Sequence, residues 1–336
     1  VLLTEPQSTN LITDSNDFAI YSWVKLQGGG VASAPIVTSN YAISPDGSQN
    51  ADRVEFNLNG GTASSDTSYI STSLSLGTTD ATTSIYLKTN DGSTSSVTLR
   101  LGTTVFDYNV TVTPNWQRFT LSGNTNVDRM QILMYGHQNS NSADLSFYGA
   151  QVENLSYATS LIPTYGAVRT RLQDNVRRAG TVTDFNSAEG TLFWEGSFLS
   201  NGRIEINSAD NLYRVIIGFS TSVFYRIREN GVNLFTNFFV SANEYNRNYK
   251  IAVRYKSGNS CIYVNGVKES DLNAYSLIGL SEVNFVSEGQ ELLGKTSQVQ
   301  VFKTALSDHE LELLTTDNVD YASYATMASF LNYNIS

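Results

Sequence analysis

The sequence predicts an all-β protein: two antiparallel β-sandwich (jelly-roll) domains followed by a short C-terminal helical tail. Three observations predict it. Apolar and polar side chains alternate over short segments, as at residues 84–88 (S-I-Y-L-K), 97–101 (V-T-L-R-L), 117–121 (Q-R-F-T-L) and 299–303 (V-Q-V-F-K), which puts the apolar set on one face of a strand. Turn residues separate these segments. Six Asn-Gly or Asp-Gly pairs, at positions 46, 59, 91, 201, 230 and 265, tolerate the positive φ that tight hairpins require. Finally, charged residues make up only 15% of the chain, while 19 Tyr and 16 Phe supply core material. That is too aromatic for a disordered chain and suits many short strands.

Taken in chain order, the 336 residues are enough for two domains with separate cores. The first sandwich is expected over 1–165. A linker over 166–178 follows Pro163 and holds Gly166, Arg169, Arg171, Arg177 and Arg178. The alternative is a long loop within one larger domain. The second sandwich spans 179–315, with two-residue hairpins at 226–235 (R-I-R-E-N-G-V-N-L-F) and 261–268 (C-I-Y-V-N-G-V-K). Ser307 and Glu310 form a capping box ahead of Leu311, Leu313 and Leu314, so a short helix starts there. The tail over 316–336 is read as helical, because Tyr324, Met327, Ala328 and Leu331 follow 3–4 spacing. It is expected to pack on its own domain or on a neighbouring subunit.

A net charge of −10 repels phosphate backbones, so no nucleic-acid partner is expected. Cys261 is the single cysteine and cannot form an intrachain disulfide. No apolar run is long enough to span a membrane as a helix. The chain opens on Val1 without a signal peptide, as if processed or taken from inside a longer chain.

No catalytic constellation is visible. His309 lies inside the capping box, and His137 lies at a strand end in Y-G-H-Q-N-S-N-S. A sandwich hydrolase would need paired carboxylates, which an E-x-D-x-x-E strand pattern can supply. Glu269-Ser270-Asp271 begins such a pattern, but Ala274 breaks it. The chain is therefore read as a binding or structural protein and not as an enzyme.

Several blocks carry a resemblance. In the first half they are T-N-L-I (9–12), D-F (17–18), W-V-K (23–25), A-I-S-P-D-G-S-Q-N-A-D-R (42–53), N-W-Q-R-F-T-L (115–121) and F-Y-G-A-Q-V-E-N-L-S-Y-A-T-S-L-I-P-T (147–164). In this order they resemble carbohydrate-binding-module-like jelly rolls of phage virion proteins. The second half, through F-N-S-A-E-G-T-L-F-W-E-G (185–196), Y-K-I-A-V-R-Y-K (249–256), I-Y-V-N-G-V (262–267) and F-K-T-A-L-S-D-H-E-L-E-L-L-T (302–315), resembles a laminin-G or concanavalin-like sandwich.

The resemblance implies a place on the virion surface or an appendage such as a tail fibre, other virion proteins as partners, and a homo-oligomer with a trimer as first guess. Two roles stay open: recognition of host-surface glycans, or a purely structural subunit using its sandwiches for protein contacts. A secreted cellular polysaccharide-binding module is a further alternative. Modules of the resembled kind often hold a structural Ca²⁺. Asp14, Asp17 and Asp144 are the nearest acids, and ordinary turn or capping roles are the alternative. Trp23, Trp116 and Trp194 lie in framework blocks and are expected in the cores. The candidate glycan contacts are Tyr41, Tyr135, His137 and Gln138, all near loops.

Overall fold

A computed structural model describes residues 2–102, 107–220, 222–239, 247–271, 274–287 and 289–316. It confirms the all-β class. The chain divides into two compact units: one is Gln7–Leu172, and the other joins Val1–Pro6 to the chain from Gln173 onward. The first six residues, assigned from the sequence to the first sandwich, thus belong to the second. Their strand, β1 (Leu2–Thr4), is described with it. Most of the expected helical tail, beyond residue 316, lies outside the described residues.

The unit Gln7–Leu172 contains β2 (Ser8–Asn10), β3 (Val24–Gly28), β4 (Ser33–Ile43), β5 (Gln49–Asn57), β6 (Thr67–Thr89), β7 (Ser95–Leu101), β8 (Asp107–Val112), β9 (Gln117–Tyr135), β10 (Ser142–Glu153) and β11 (Arg169–Arg171). The sheet order is β4-β5-β10-β6-β9-β7-β8, with β3 also on β6, while β2 pairs with β11. Strands β6 and β9 are long enough to serve two layers. They pair along almost their whole length, with a slip between Ser73 and Gly77. Gly77 takes φ +70° there, and such a bulge bends the ribbon. Past the bend, β6 pairs with β10. Before it, β6 pairs with β3, and the last part of β9 pairs with β7.

One layer is therefore β4, β5, β10 and the later half of β6. The other is β3, the early half of β6, the late half of β9, β7 and β8. Val54, Phe56, Ile85 and Phe147 from the first pack in one core with Ile70, Val97, Leu99, Met130 and Ile132 from the second. Trp23 is buried there as expected, and its neighbour Phe18 meets Phe147 edge-on at 5.2 Å.

The second unit holds β12 (Glu189–Phe198), β13 (Gly202–Ser208), β14 (Arg214–Phe219), β15 (Val223–Glu229), β16 (Val232–Phe239), β17 (Tyr249–Lys256), β18 (Ser260–Val264), β19 (Val267–Asp271), β20 (Leu280–Asn284), β21 (Val286–Ser287), β22 (Gln290–Glu291), β23 (Gly294–Phe302) and α1 (Asp308–Thr315). One sheet runs β1-β23-β12-β17-β18-β19. The other runs β16-β15-β14-β13-β22-β21, with β20 also on β13. Both expected hairpins are present. Asn230 and Gly231 take φ 46° and 79°, and Asn265 and Gly266 take 47° and 82°, which is the primed geometry that matches strand twist.

Trp194, Ile251, Val253 and Ile262 face the core between the sheets. The other face of the same strands carries Phe193, Ala252, Cys261 and Tyr263, and α1 covers it with Leu311 and Leu314. Ser307 caps α1 as expected, accepting from the Glu310 N–H, and His309 is exposed on it.

Candidate functional site

The outward face of the layer β3-β6-β9-β7-β8 gathers most of the sequence candidates. Strand register places Leu26, Tyr69, Leu133, Thr98 and Asn109 in one row across it. Val24, Ser71, Gln131, Arg100 and Asp107 form the next. Their strand neighbours Ile70, Ile132, Leu99 and Val110 point the opposite way, into the core. The row through Tyr69 presents apolar surface at exposed Leu26 and half-buried Tyr69, while Leu133 beside them is covered by its neighbours.

Arg100 organises the second row. Its Nε and Nη2 donate to the two Asp107 carboxylate oxygens at 2.6 and 2.8 Å, and its Nη1 donates to Gln131 Oε1 at 3.3 Å. Nη2 also meets the Tyr135 hydroxyl, which donates to Asp107 at 3.2 Å. The pairing with Asp107 pushes the guanidinium pKa up. Burial, ahead of the nearby charges, raises that of the Tyr135 phenol. Bonded to one another in this way, these side chains offer donors and acceptors in fixed positions.

The turn after β9 forms the rim. Its geometry comes from Asn139, whose Oδ1 accepts the Tyr135 N–H at 2.8 Å and whose Nδ2 donates to Ser96 at 3.2 Å. This holds exposed His137 and Gln138 at the edge of the face. The His137 ring lies 5.5 Å from that of Tyr135, and Gln138 accepts from the Asn109 amide at 3.4 Å.

Tyr135, His137 and Gln138 are thus brought together, while Tyr41 is not. Tyr41 lies in an irregularity of β4, with the Arg53 guanidinium 5.1 Å from its ring centroid. Arg100, Asp107, Gln131 and Asn109 were missed. Their only sequence signal is the alternation of β7, β8 and β9, which marks them as outward but not as neighbours of Tyr135.

The three acids considered for calcium do not form a group. Asp144 pairs with Arg53 through two bonds of 2.8 and 2.6 Å, and that partner holds its carboxyl below the usual range. Asp14 accepts from the Gly166 N–H and from the Thr13 and Ser22 hydroxyls. Asp17 accepts from the Ala19 N–H. Asp14 and Asp17 line a cleft of about 490 Å³ with buried Asp52, whose oxygens also accept backbone N–H groups, from Phe18 and Asn40. These are turn and capping carboxylates that already face N–H and O–H donors, and they do not fit a calcium cage. Among the described residues no three His, Cys, Asp or Glu are grouped for a metal.

Trp194 is core, but Trp116 departs from expectation. It is half-exposed, with its indole N–H on the Ile43 carbonyl at 3.0 Å and Lys88 5.3 Å from its ring.

No family model matches the chain, and no curated protein does. Solved structures with some likeness include the heptameric SAP-like pentraxin of Limulus polyphemus, with 16% identity, 43% of this chain and 76% of that one covered, and TM-score 0.36. Domains LG4-5 of the mouse laminin α1 chain show 10% identity, 74% and 90% coverage, and TM-score 0.27. The tandem CBM22-1–CBM22-2 domains of Paenibacillus barcinonensis Xyn10C show 11%, 91% and 100%, and 0.31. At these values the likenesses decide neither ligand nor activity.

Proposed function

We propose that the first sandwich binds glycans on the outward face of β3-β6-β9-β7-β8. The carrying observation is the Arg100–Asp107–Tyr135–Gln131 network on the same face as half-buried Tyr69 and exposed Leu26. A sugar ring needs an apolar surface under its C–H face and fixed polar groups around its hydroxyls. This face supplies both, and its charges are paired internally, which suits a neutral saccharide.

An open sheet face makes few contacts, so each site binds weakly and many copies recover avidity. A homo-oligomer displayed on a virion surface or appendage, with other virion proteins as partners, fits that need. The virion setting rests on the sequence resemblance. Affinity electrophoresis against a panel of neutral polysaccharides tests the reading. Tyr135→Ala and Gln131→Ala should each weaken binding about tenfold, the about 1.4 kcal/mol of one good contact. Undiminished binding by both variants, or no binding by the native chain, would refute it and leave the structural role.

A further inference from the structure

The cleft of about 490 Å³ that Asp14, Asp17 and Asp52 help to line is built by the segment after β2, by β4 and β5, and by residues 164–166. None of its lining residues lies on β3, β6, β7, β8 or β9.

Two amides in its wall are fixed at one end and open at the other. Asn16 is only 8% exposed, and its Oδ1 accepts the Gly149 N–H at 2.9 Å. A backbone N–H needs an acceptor, which decides how this amide is turned. Its Nδ2 is the end left over, and it is buried with no hydrogen-bond partner among the described residues. Asn50, half-buried on β5, is turned by the same logic. Its Nδ2 donates at 3.1 Å to Asp46 Oδ2, which also accepts the Tyr148 hydroxyl at 2.7 Å. Asn50 Oδ1 is then the buried end without a partner. A buried donor and a buried acceptor left open cost stability. A ligand carrying the complementary groups recovers it.

The charges around the amides select what that ligand is. Asp14, Asp17 and Asp52 oppose an anion, and no Arg, Lys or His among the described residues lines the cleft. A cation is not required either. Lys25 donates to the carbonyls of Ala19 and Ile20 at 2.8 and 3.1 Å, where the charges of Asp17 and Asp52 act on it. What stays open is an uncharged group that both accepts and donates, and a hydroxyl is that group.

The wall also has an apolar part. Tyr165 is 66% exposed yet held, by a backbone bridge to Asp14 and by Arg169, whose guanidinium lies 5.4 Å from the ring centroid. With half-buried Ile20 it offers a surface to the C–H face of a sugar. The volume falls toward the lower end for small-ligand sites and suits about one or two sugar rings.

We infer that this cleft is a second saccharide site, which takes the uncharged end of a glycan: hydroxyls on the Asn16 and Asn50 amides, and the apolar face of the sugar on Tyr165. It uses no residue of the β3-β6-β9-β7-β8 face and does not rest on that reading.

The test uses the full chain carrying Tyr135→Ala and Gln131→Ala, in which the first face is weakened. Saturation-transfer NMR with maltose, cellobiose and lactose should still show binding of at least one of them, and no binding of glucuronate. Adding Tyr165→Ala, a change to an exposed side chain, should lower that affinity at least tenfold while the melting temperature holds. Adding Asn16→Asp instead keeps the acceptor that Gly149 needs and removes the donor, and should lower it as much. Failure of all three disaccharides to bind, unchanged affinity in both added variants, or equal binding of glucuronate would each overturn the inference. Because the first face is already weakened in this background, its failure cannot be mistaken for failure here.

Discussion

Arg53 and Asp144 show how a single pair can look like one thing in a sequence and be another in a fold. Asp144 on β10 stands directly across from Glu55, two residues along the same strand from Arg53. Left alone, the two carboxylates would repel. Arg53 resolves this by reaching both, Asp144 at 2.6 Å and Glu55 at 3.0 Å. Asp144→Asn should therefore destabilise the first sandwich at pH 7 by about 1–2 kcal/mol, as for a charge-assisted pair that is partly shielded. The sign with pH follows from the lowered folded pKa. The contribution is present above the ordinary carboxylate range and is lost as pH falls below about 4 and through the folded value. Denaturation curves of both proteins from pH 7 to 3 would show it, with the variant's gap closing on acidification. Trp116 teaches the same lesson about single residues. Its block reads as a framework strand, yet it precedes β9 and spends its indole N–H on the carbonyl of Ile43, the last residue of β4, at the surface. Alternation identifies which residues share a face, but not which face is covered.

Among the elements, the hairpins and the helix cap were fully legible, because each depends on residues adjacent in the chain. Asn230-Gly231 and Asn265-Gly266 take the positive φ values their chemistry allows, and the Ser307–Glu310 box closes. The long strands were not legible. β6 spans 23 residues across one slip, of which alternation marks only residues 84–88, because the pairing with β9 and not local pattern keeps polar Thr78–Thr82 in the strand. Arg100, Asp107, Gln131 and Asn109 were missed for a related reason: only the pairing of β7 with β8 and with the far end of β9 brings them beside Tyr135. The second sandwich blurs alternation differently, since α1 buries the far side of β12, β17 and β18. Cys261 on β18 belongs to that covered side, and burial pushes its thiol pKa up. It should react with an aromatic disulfide reagent far more slowly in the native protein than after denaturation. Leu311→Ala, which thins the cover by opening a cavity of the kind that costs about 2–5 kcal/mol, should accelerate labelling without denaturant. Ser307→Ala, costing about 1 kcal/mol at the cap, should do so less. Rapid labelling of the native chain would mean that α1 does not shield this face.

At the scale of the whole molecule, composition and turn spacing were enough for two sandwiches, but not for the path of the chain through them. The boundary near Pro163 and the arginine-rich stretch after it is close to where the described units divide, at Leu172 and Gln173. What no local signal revealed is that residues 2–4 complete the sheet of the other unit. β1 pairs with Gly294–Thr296 at the edge of the six-stranded sheet. The Thr4 hydroxyl donates to the Leu292 carbonyl at 2.7 Å and accepts the Gly294 N–H at 3.1 Å, and the Glu5 N–H donates to Asp174 at 2.9 Å. V-L-L-T-E-P is too short to declare itself as a strand, and its partners lie about 290 positions away. Such a long-range pairing is invisible to periodicity, and closing it costs chain entropy that grows slowly with length. Deleting residues 1–6 should therefore lower the stability of the C-terminal sandwich while the first sandwich keeps its own. Thr4→Val, which removes the two hydroxyl bonds but keeps the strand, should cost about 1–3 kcal/mol because the Gly294 N–H and Leu292 carbonyl lose a partner. Hydrogen exchange separates the two units within one sample. The expected result is faster exchange in β23 and β12 of the truncated chain, with β6 and β9 unchanged. Faster exchange in β6 and β9 alone would place the first six residues with the first sandwich after all.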